Sequence, residues 1–222
     1  NTKMRRRAFT LRSAPLDRSE PKLGKCWVID VLSLRVPSAH NGATLMYIAV
    51  EKVSGYAMTG FMRSYTEADF IAALNEIKAR VRPEHNEINI VRLDHHPTHN
   101  SRGVRDYMIE NQQRMQLSPP YVHEGVGIAE AYFLHAVPSA NALLSAAPDL
   151  SENHFGQAFR YVVRGRNHSV SSKSSPPRSP AMIYYGSETY LDSGLMVFGS
   201  AAMALVHGEA RDSKFDEHAK AC

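Results

Sequence analysis

Three apolar segments of strand length follow one another directly, and then the spacing of the apolar residues turns helical. That succession constrains the fold more than any other feature of the chain. Cys26 to Leu34 sets Trp, Val, Ile and Leu around a single acid, Asp30; Thr44 to Val53 is a second such segment, with Ser54 and Gly55 as its turn; Tyr56 to Arg63 is a third. Strand-length runs separated by turn residues predict an antiparallel meander. Thr66 is then a good N-cap with Asp69 three residues on, and Phe70, Ile71, Leu74, Ile77 and Val81 share one helical face ahead of Pro83. Glu87 to Asp94 returns to strand and ends on the acid. Ser101 to Met115 reads as a second helix, and Met115 to Val122 as a short extended segment broken by Pro119 and Pro120. From Gly127 to Ala147 the residues favour helix, with Glu130 in the first turns and Pro138 expected to kink or break it. A further helix begins at Ser151 and buries Phe155, Phe159 and Val162.

This order predicts an α/β fold with a mixed central sheet, three antiparallel strands followed by parallel ones, flanked by helices. The 222 residues suit one large domain with appendages. The expected division is a basic arm over 1–24, a core over 25–165, a Ser/Pro-rich loop over 166–180 and an extension of the core over 181–222. With 43% apolar and 22% charged residues, wholesale disorder is excluded. The longest apolar run, Leu195 to Val206, is too short for a bilayer and contains Gly199 and Ser200, which excludes a helical membrane span. Cys26 and Cys222 are the only cysteines, so a disulfide framework and a paired-cysteine zinc motif are excluded and a reducing intracellular setting is favoured. Cys26 and Trp27 are expected in the core. The chain opens at Asn1 without a secretory segment, as a piece of a longer polypeptide would.

The net charge is +4, and it is unevenly spread. The first 25 residues hold eight basic side chains, Arg5, Arg6 and Arg7 among them, against Asp17 and Glu20. A second basic stretch runs from Arg160 through Arg164, Arg166 and Lys173 to Arg178 with no acid between. Such stretches suit a polyanion such as DNA, and equally a solvated tail.

Two acids stand at chemically telling places. Ligands of such sheets sit at the carboxyl ends of strands, where Asp94 is expected. Asp30 lies inside a strand, where an ionised carboxylate is costly unless paired or bound to a cation. Two carboxylates on adjacent strands invite a metal, and thirty-five residues separate Asp94 from a third acid, Glu130. In isolation Asp94 serves as well as a strand-end cap, and Glu130 as a helix N-terminal charge. His95, His96 and His99 have the ligand chemistry of a zinc site, though closely spaced histidines in a loop are expected to be solvent-exposed.

Seven segments, taken in order, carry a resemblance. They are Lys25 to Val31; Tyr47 to Gly55; Val91 to Asp94; Ser118 to Tyr121 with Gly127 to Glu130; Ser179 to Ala181 and on to Gly186; Leu195 to Gly199; and Lys214 to Cys222. Along nearly its whole length the chain resembles the integrase of copia-type LTR retrotransposons, in the retroviral integrase superfamily. The resemblance implies a ribonuclease-H-like fold and phosphoryl transfer on DNA, namely 3′ end processing and strand transfer. It implies that Asp30, Asp94 and Glu130 form the catalytic triad and hold two magnesium or manganese ions, with Asp30 bridging them. By the same analogy Arg5, Arg6, Arg7, Arg164 and Arg166 meet DNA, and the domain works as a homo-oligomer on element ends and target. It would act in the nucleus after release from a polyprotein and passage in a cytoplasmic particle. A second reading stays open, because no Lys or Arg occurs between Arg114 and Arg160: a catalytically silent or domesticated ribonuclease-H-like domain that binds DNA or protein.

Overall fold

The computed structural model describes residues 21–81, 87–118, 126–170, 176–186 and 196–200, and the backbone of 203–205 and 219–221. The expectations for Arg5, Arg6 and Arg7, for Pro119 to Tyr121, for Lys173 and for Lys214 to His218 fall outside these residues. The meander forms as expected. Strand β1 (Cys26–Ser33) pairs antiparallel with β2 (Leu45–Glu51), which pairs antiparallel with β3 (Ala57–Met62). After helix α1 (Glu67–Arg80) the chain returns as β4 (Ile90–Leu93), parallel to β1. Helix α2 (Arg102–Glu110) and β5 (Arg114–Leu117), parallel to β4, complete a mixed five-stranded sheet of order β3-β2-β1-β4-β5. Helices α3 (Gly127–Ser145), α4 (Phe155–His168) and the short α5 (Pro180–Tyr185) follow. A separate pair of short strands, β6 (Met203–Leu205) and β7 (Ala219–Ala221), is antiparallel.

Strand alternation assigns the two faces of the sheet. Trp27, Ile29, Tyr47, Ala49, Val91 and Leu93 pack beneath α1 and α2, against Phe70, Leu74, Ile77, Val104 and Met108. Val28, Met46, Ile48 and Val50 point the other way, against Ala129, Tyr132, Ala136 and Ala140 of α3 and Phe159 and Val163 of α4. β2 is buried on both faces, so it reads as a continuous apolar run rather than an alternating one. Cys26 and Trp27 are fully buried, as expected. The cap is also as expected: Thr66 accepts a hydrogen bond from the Asp69 amide at 3.3 Å.

Side chains cap part of the β3 edge of the sheet. Asn167 of α4 accepts from the Ala57 amide at 2.9 Å and donates to the Ala57 carbonyl at 2.7 Å, and Arg80 donates to the Thr59 carbonyl at 2.8 Å. These bonds occupy the outward backbone groups through which an edge strand recruits another chain.

Three expectations are corrected. The helix read from Ser101 to Met115 ends at Glu110, because Gln112 turns into the left-handed region (φ 55°), and residues 114–117 form β5. The strand read from Glu87 narrows to Ile90–Leu93. Pro138 does not break α3, which runs unbroken from Gly127 to Ser145. Pro138 and Leu134 both lie on the exposed face, so the Leu134 carbonyl left without its amide partner stands where water can hydrate it. Among the described residues no helix is long and apolar enough to cross a membrane.

Candidate active site

The register of β1 and β4 sets Val28 beside Arg92, so two residues further along the same parallel pair Asp30 stands beside Asp94. Alternation along β1 places Asp30 on the α3 face of the sheet with Val28, and Asp94 follows directly on the last residue of β4, at the carboxyl end of that strand. The ladder continues on the other side of β4, where the Ser118 amide donates to the Leu93 carbonyl at 2.8 Å. Glu130 enters from above, in the first turn of α3, because Ala129 and Tyr132 on either side of it are drawn into the core.

The electrostatics report how close the acids are. The Asp30 carboxyl is pushed up from the usual carboxylate range to about 6, first by burial and then by the charges of Asp94 and Glu130; the Val31 amide, 2.8 Å from its Oδ1, works in the opposite direction, as does His99. Asp30 therefore lies in the field of both other acids. Asp94 is held low, chiefly by the His99 ring and against partial burial. Its Oδ1 lies 2.7 Å from His99 Nδ1, while the ring proton is better aligned with the Asp94 carbonyl at 3.2 Å; the solvent-excluded Oδ1 depends on sharing that proton. The side chain as a whole is 46% exposed, so Oδ2 faces outward.

Hard oxygen donors that repel one another in a half-buried cluster fit a divalent cation, which would relieve the repulsion. The fit is one of donor chemistry. Among the described residues no group of three or more His, Cys, Asp or Glu side chains is gathered closely enough to hold an ion, so the carboxylates share a field without forming a closed ligand shell. The zinc reading of His95, His96 and His99 has no such gathering either.

The expected exposure of those histidines is corrected for His99, which is fully buried. It packs on Phe70 (ring centroids 4.4 Å), and its Nε2 is 3.0 Å from the Tyr65 hydroxyl. Tyr65 in turn stacks on His96 at 3.9 Å and feels the charges of Asp94 and Asp30, which together with burial push its phenol upward. Sequence reasoning missed Tyr65 and the role of His99. The one available signal was the density of histidine after Asp94, and it does not say which ring turns inward.

The arginines lie elsewhere. Arg166 is stacked over Tyr132 (4.1 Å to the centroid), in a cleft of about 570 Å³ with Ser54, Gly55 and Arg178, at the end of the sheet away from Asp94. Arg164 lines a groove of about 500 Å³ along the β3 edge with Arg80, Arg160 and Tyr161. Neither acts on Asp30 or Asp94.

With this geometry in place, comparison with solved structures is decisive for the fold. The catalytic core domain of BIV integrase superposes with a TM-score of 0.55 at 14% identity, covering 73% of this chain and 95% of that one. The simian T-cell lymphotropic virus intasome in complex with PP2A regulatory subunit B56 gamma gives 0.61 at 12% identity, covering 90% of this chain and 68% of that one. The fold is that of retroviral integrase cores, ribonuclease-H-like. No protein-family model matches the chain, and no curated protein does.

Ionised Asp30 opposes folding, which gives a pH signature. With a folded value near 6 against 3.8 unfolded, the native state holds the extra proton between these values, so stability falls as pH rises through that window and the cost is complete above it. Asp30→Asn should raise the unfolding free energy at pH 8 by about 3 kcal/mol, a gain that shrinks toward zero by pH 4. Denaturant unfolding at the two pH values checks the sign; a variant less stable than wild type at pH 8 would contradict it.

Proposed function

We propose that this is the catalytic domain of a copia-type retrotransposon integrase, carrying out metal-dependent end processing and strand transfer on DNA. One observation supports the reading: Asp30, near the carboxyl end of a central strand in a sheet with the integrase-core fold, feels the charges of both Asp94, just beyond the neighbouring parallel strand, and Glu130 of α3. In it, Asp30, Asp94 and Glu130 would supply carboxylate oxygens to magnesium or manganese. Bound there, the ions would activate a water or a DNA 3′ hydroxyl and stabilise the departing oxygen of the phosphodiester. The chain's own part is to position. The sheet fixes Asp30 and Asp94, α3 brings Glu130 over them, and the half-buried setting of Asp30 excludes water that would weaken the field.

The test is joining of short DNA duplexes to plasmid by the full chain. Products that require magnesium or manganese and vanish with a chelator support the proposal; products that persist in chelator contradict it. The intasome likeness supports action as an oligomer on DNA, and nuclear action follows from the copia assignment.

Arg164 and Arg166 contact DNA phosphates away from the reacting one, together with Arg5, Arg6 and Arg7 of the arm. Arg164→Ala and Arg166→Ala should each weaken DNA binding uniformly across sequences and flatten the plot of log affinity against log salt by about one unit. Fluorescence anisotropy over a salt series measures both.

The silent alternative draws support from α3. Its exposed face, Leu134, His135, Ser139, Asn141 and Ser145 among it, offers no cation to a phosphate backbone. Duplex binding without metal-dependent products would favour that reading.

A further inference from the structure

We infer that His99 is a positioning residue: its buried ring holds one oxygen of Asp94, and Tyr65 holds the ring, so that the outward-facing Asp94 oxygen is kept in one orientation. The purpose of the clamp rests on the metal-binding function proposed above; the clamp itself does not. Four observations meet on this ring. His99 is fully buried, in the short 3₁₀ turn Thr98–Asn100 beyond β4. A buried imidazole is retained without cost only when both nitrogens find partners. Nδ1 faces two acceptors, Asp94 Oδ1 at 2.7 Å and the Asp94 carbonyl at 3.2 Å, so the ring proton belongs on Nδ1. Nε2 is then the acceptor for the Tyr65 hydroxyl at 3.0 Å.

The frame around the ring is built from separate elements. Phe70 of α1 packs on it at 4.4 Å, and Tyr65 meets it edge-on at 5.6 Å while stacking on His96. Thr98 Oγ1 donates to the Tyr65 carbonyl at 2.9 Å, tying the loop after β4 to the residue ahead of α1. With aromatic contacts on several sides and both nitrogens engaged, the ring cannot turn without losing a bond at each end. Its contact with Oδ1 sets the rotation of the Asp94 carboxylate, and with it the direction in which Oδ2 would be offered to an ion. Groups that orient a ligand in this way typically change metal affinity by about 10- to 100-fold when removed.

The test uses the full chain and two readouts. In metal-free protein, nitrogen NMR of the imidazoles should find His99 in the Nδ1–H form, with resonances that move on Asp94→Asn and on Tyr65→Phe. Calorimetry with manganese alone should then show binding weakened by about 10- to 100-fold in His99→Phe. That variant keeps an aromatic ring against Phe70 but has no donor. His99→Asn can place an amide donor near the position of Nδ1 and should recover affinity to within about three-fold, a rescue that a packing role would not give. Circular dichroism confirms that the variants are folded. A ring found in the Nε2–H form, or unmoved by Asp94→Asn, overturns the clamp, as does manganese binding by His99→Phe equal to wild type. A locked ring that responds to Asp94→Asn in a protein that binds no manganese supports the clamp and overturns the metal-binding function instead.

Discussion

Replacing Glu51 by alanine should lower the unfolding free energy by about 4 kcal/mol, a large share of the roughly 5–15 kcal/mol that holds a domain together. Glu51 ends β2, is fully shielded from solvent and is surrounded by donors. One oxygen accepts from the Gly24 amide at 3.0 Å. The other accepts from the Val53 amide at 3.0 Å and from the Ser54 amide and hydroxyl, both at 2.7 Å. The carboxyl thus fastens the lead-in to β1 and the β2–β3 turn to the same point. Alanine leaves three backbone amides without their acceptor, each costing about 1–3 kcal/mol where water cannot replace it. Glu51→Gln is the instructive companion. Its carbonyl can serve the three donors on the Ser54 side, but its amide then faces the Gly24 N–H, donor against donor, so a loss of about 2 kcal/mol is expected. Denaturant unfolding of the two variants measures both values; an alanine variant within 1 kcal/mol of wild type would mean that these bonds contribute little.

The second large effect concerns the chemistry. If the proposed function holds, Glu130→Gln should reduce strand transfer by at least about 1,000-fold, equivalent to about 4 kcal/mol of barrier, while leaving the melting temperature within a few degrees of wild type. The two expectations separate because Glu130 sits in the first turn of α3, where its neighbours Ala129 and Tyr132 are buried in the core and anchor the helix, and because glutamine keeps the length and shape of the side chain. Glutamine preserves shape and one oxygen but removes the charge on which a divalent ion depends. Loss of activity with an unchanged melt supports a role for Glu130 in the reaction. Full activity in Glu130→Gln would remove it from the site, and loss of both activity and fold would assign it to structure.

Glu51 and Glu130 illustrate how unevenly the sequence discloses its acids. Asp30 and Asp94 could be placed beforehand, because an acid inside an apolar strand and an acid at a strand's end are visible as breaks in a pattern, and the parallel register then sets them side by side. Glu51 gave no such sign: nothing in its spacing says that four donors surround it. His99 was expected in solvent for the same reason, since Tyr65 and Phe70, which bury it, come from a different stretch of chain. Pro138 was expected to kink or break its helix, and that the helix continues through it is not legible in the sequence, which does not reveal that its face of α3 is the exposed one.

The order of strands and helices, the cap at Thr66, the burial of Trp27 and the candidacy of three acids were properties of the sequence alone. Each is set by interactions between residues close along the chain, or by a period that local geometry imposes. The reach of the Asp94 and Glu130 charges to Asp30, the contact of His99 with Asp94, the capping of Ala57 on the β3 edge by Asn167 and the placing of Arg164 and Arg166 away from Asp94 were decided by tertiary structure. All of these depend on groups 5 to 110 positions apart meeting where water is partly or wholly excluded, and the partners and the desolvation that fix their chemistry exist only once the chain has folded.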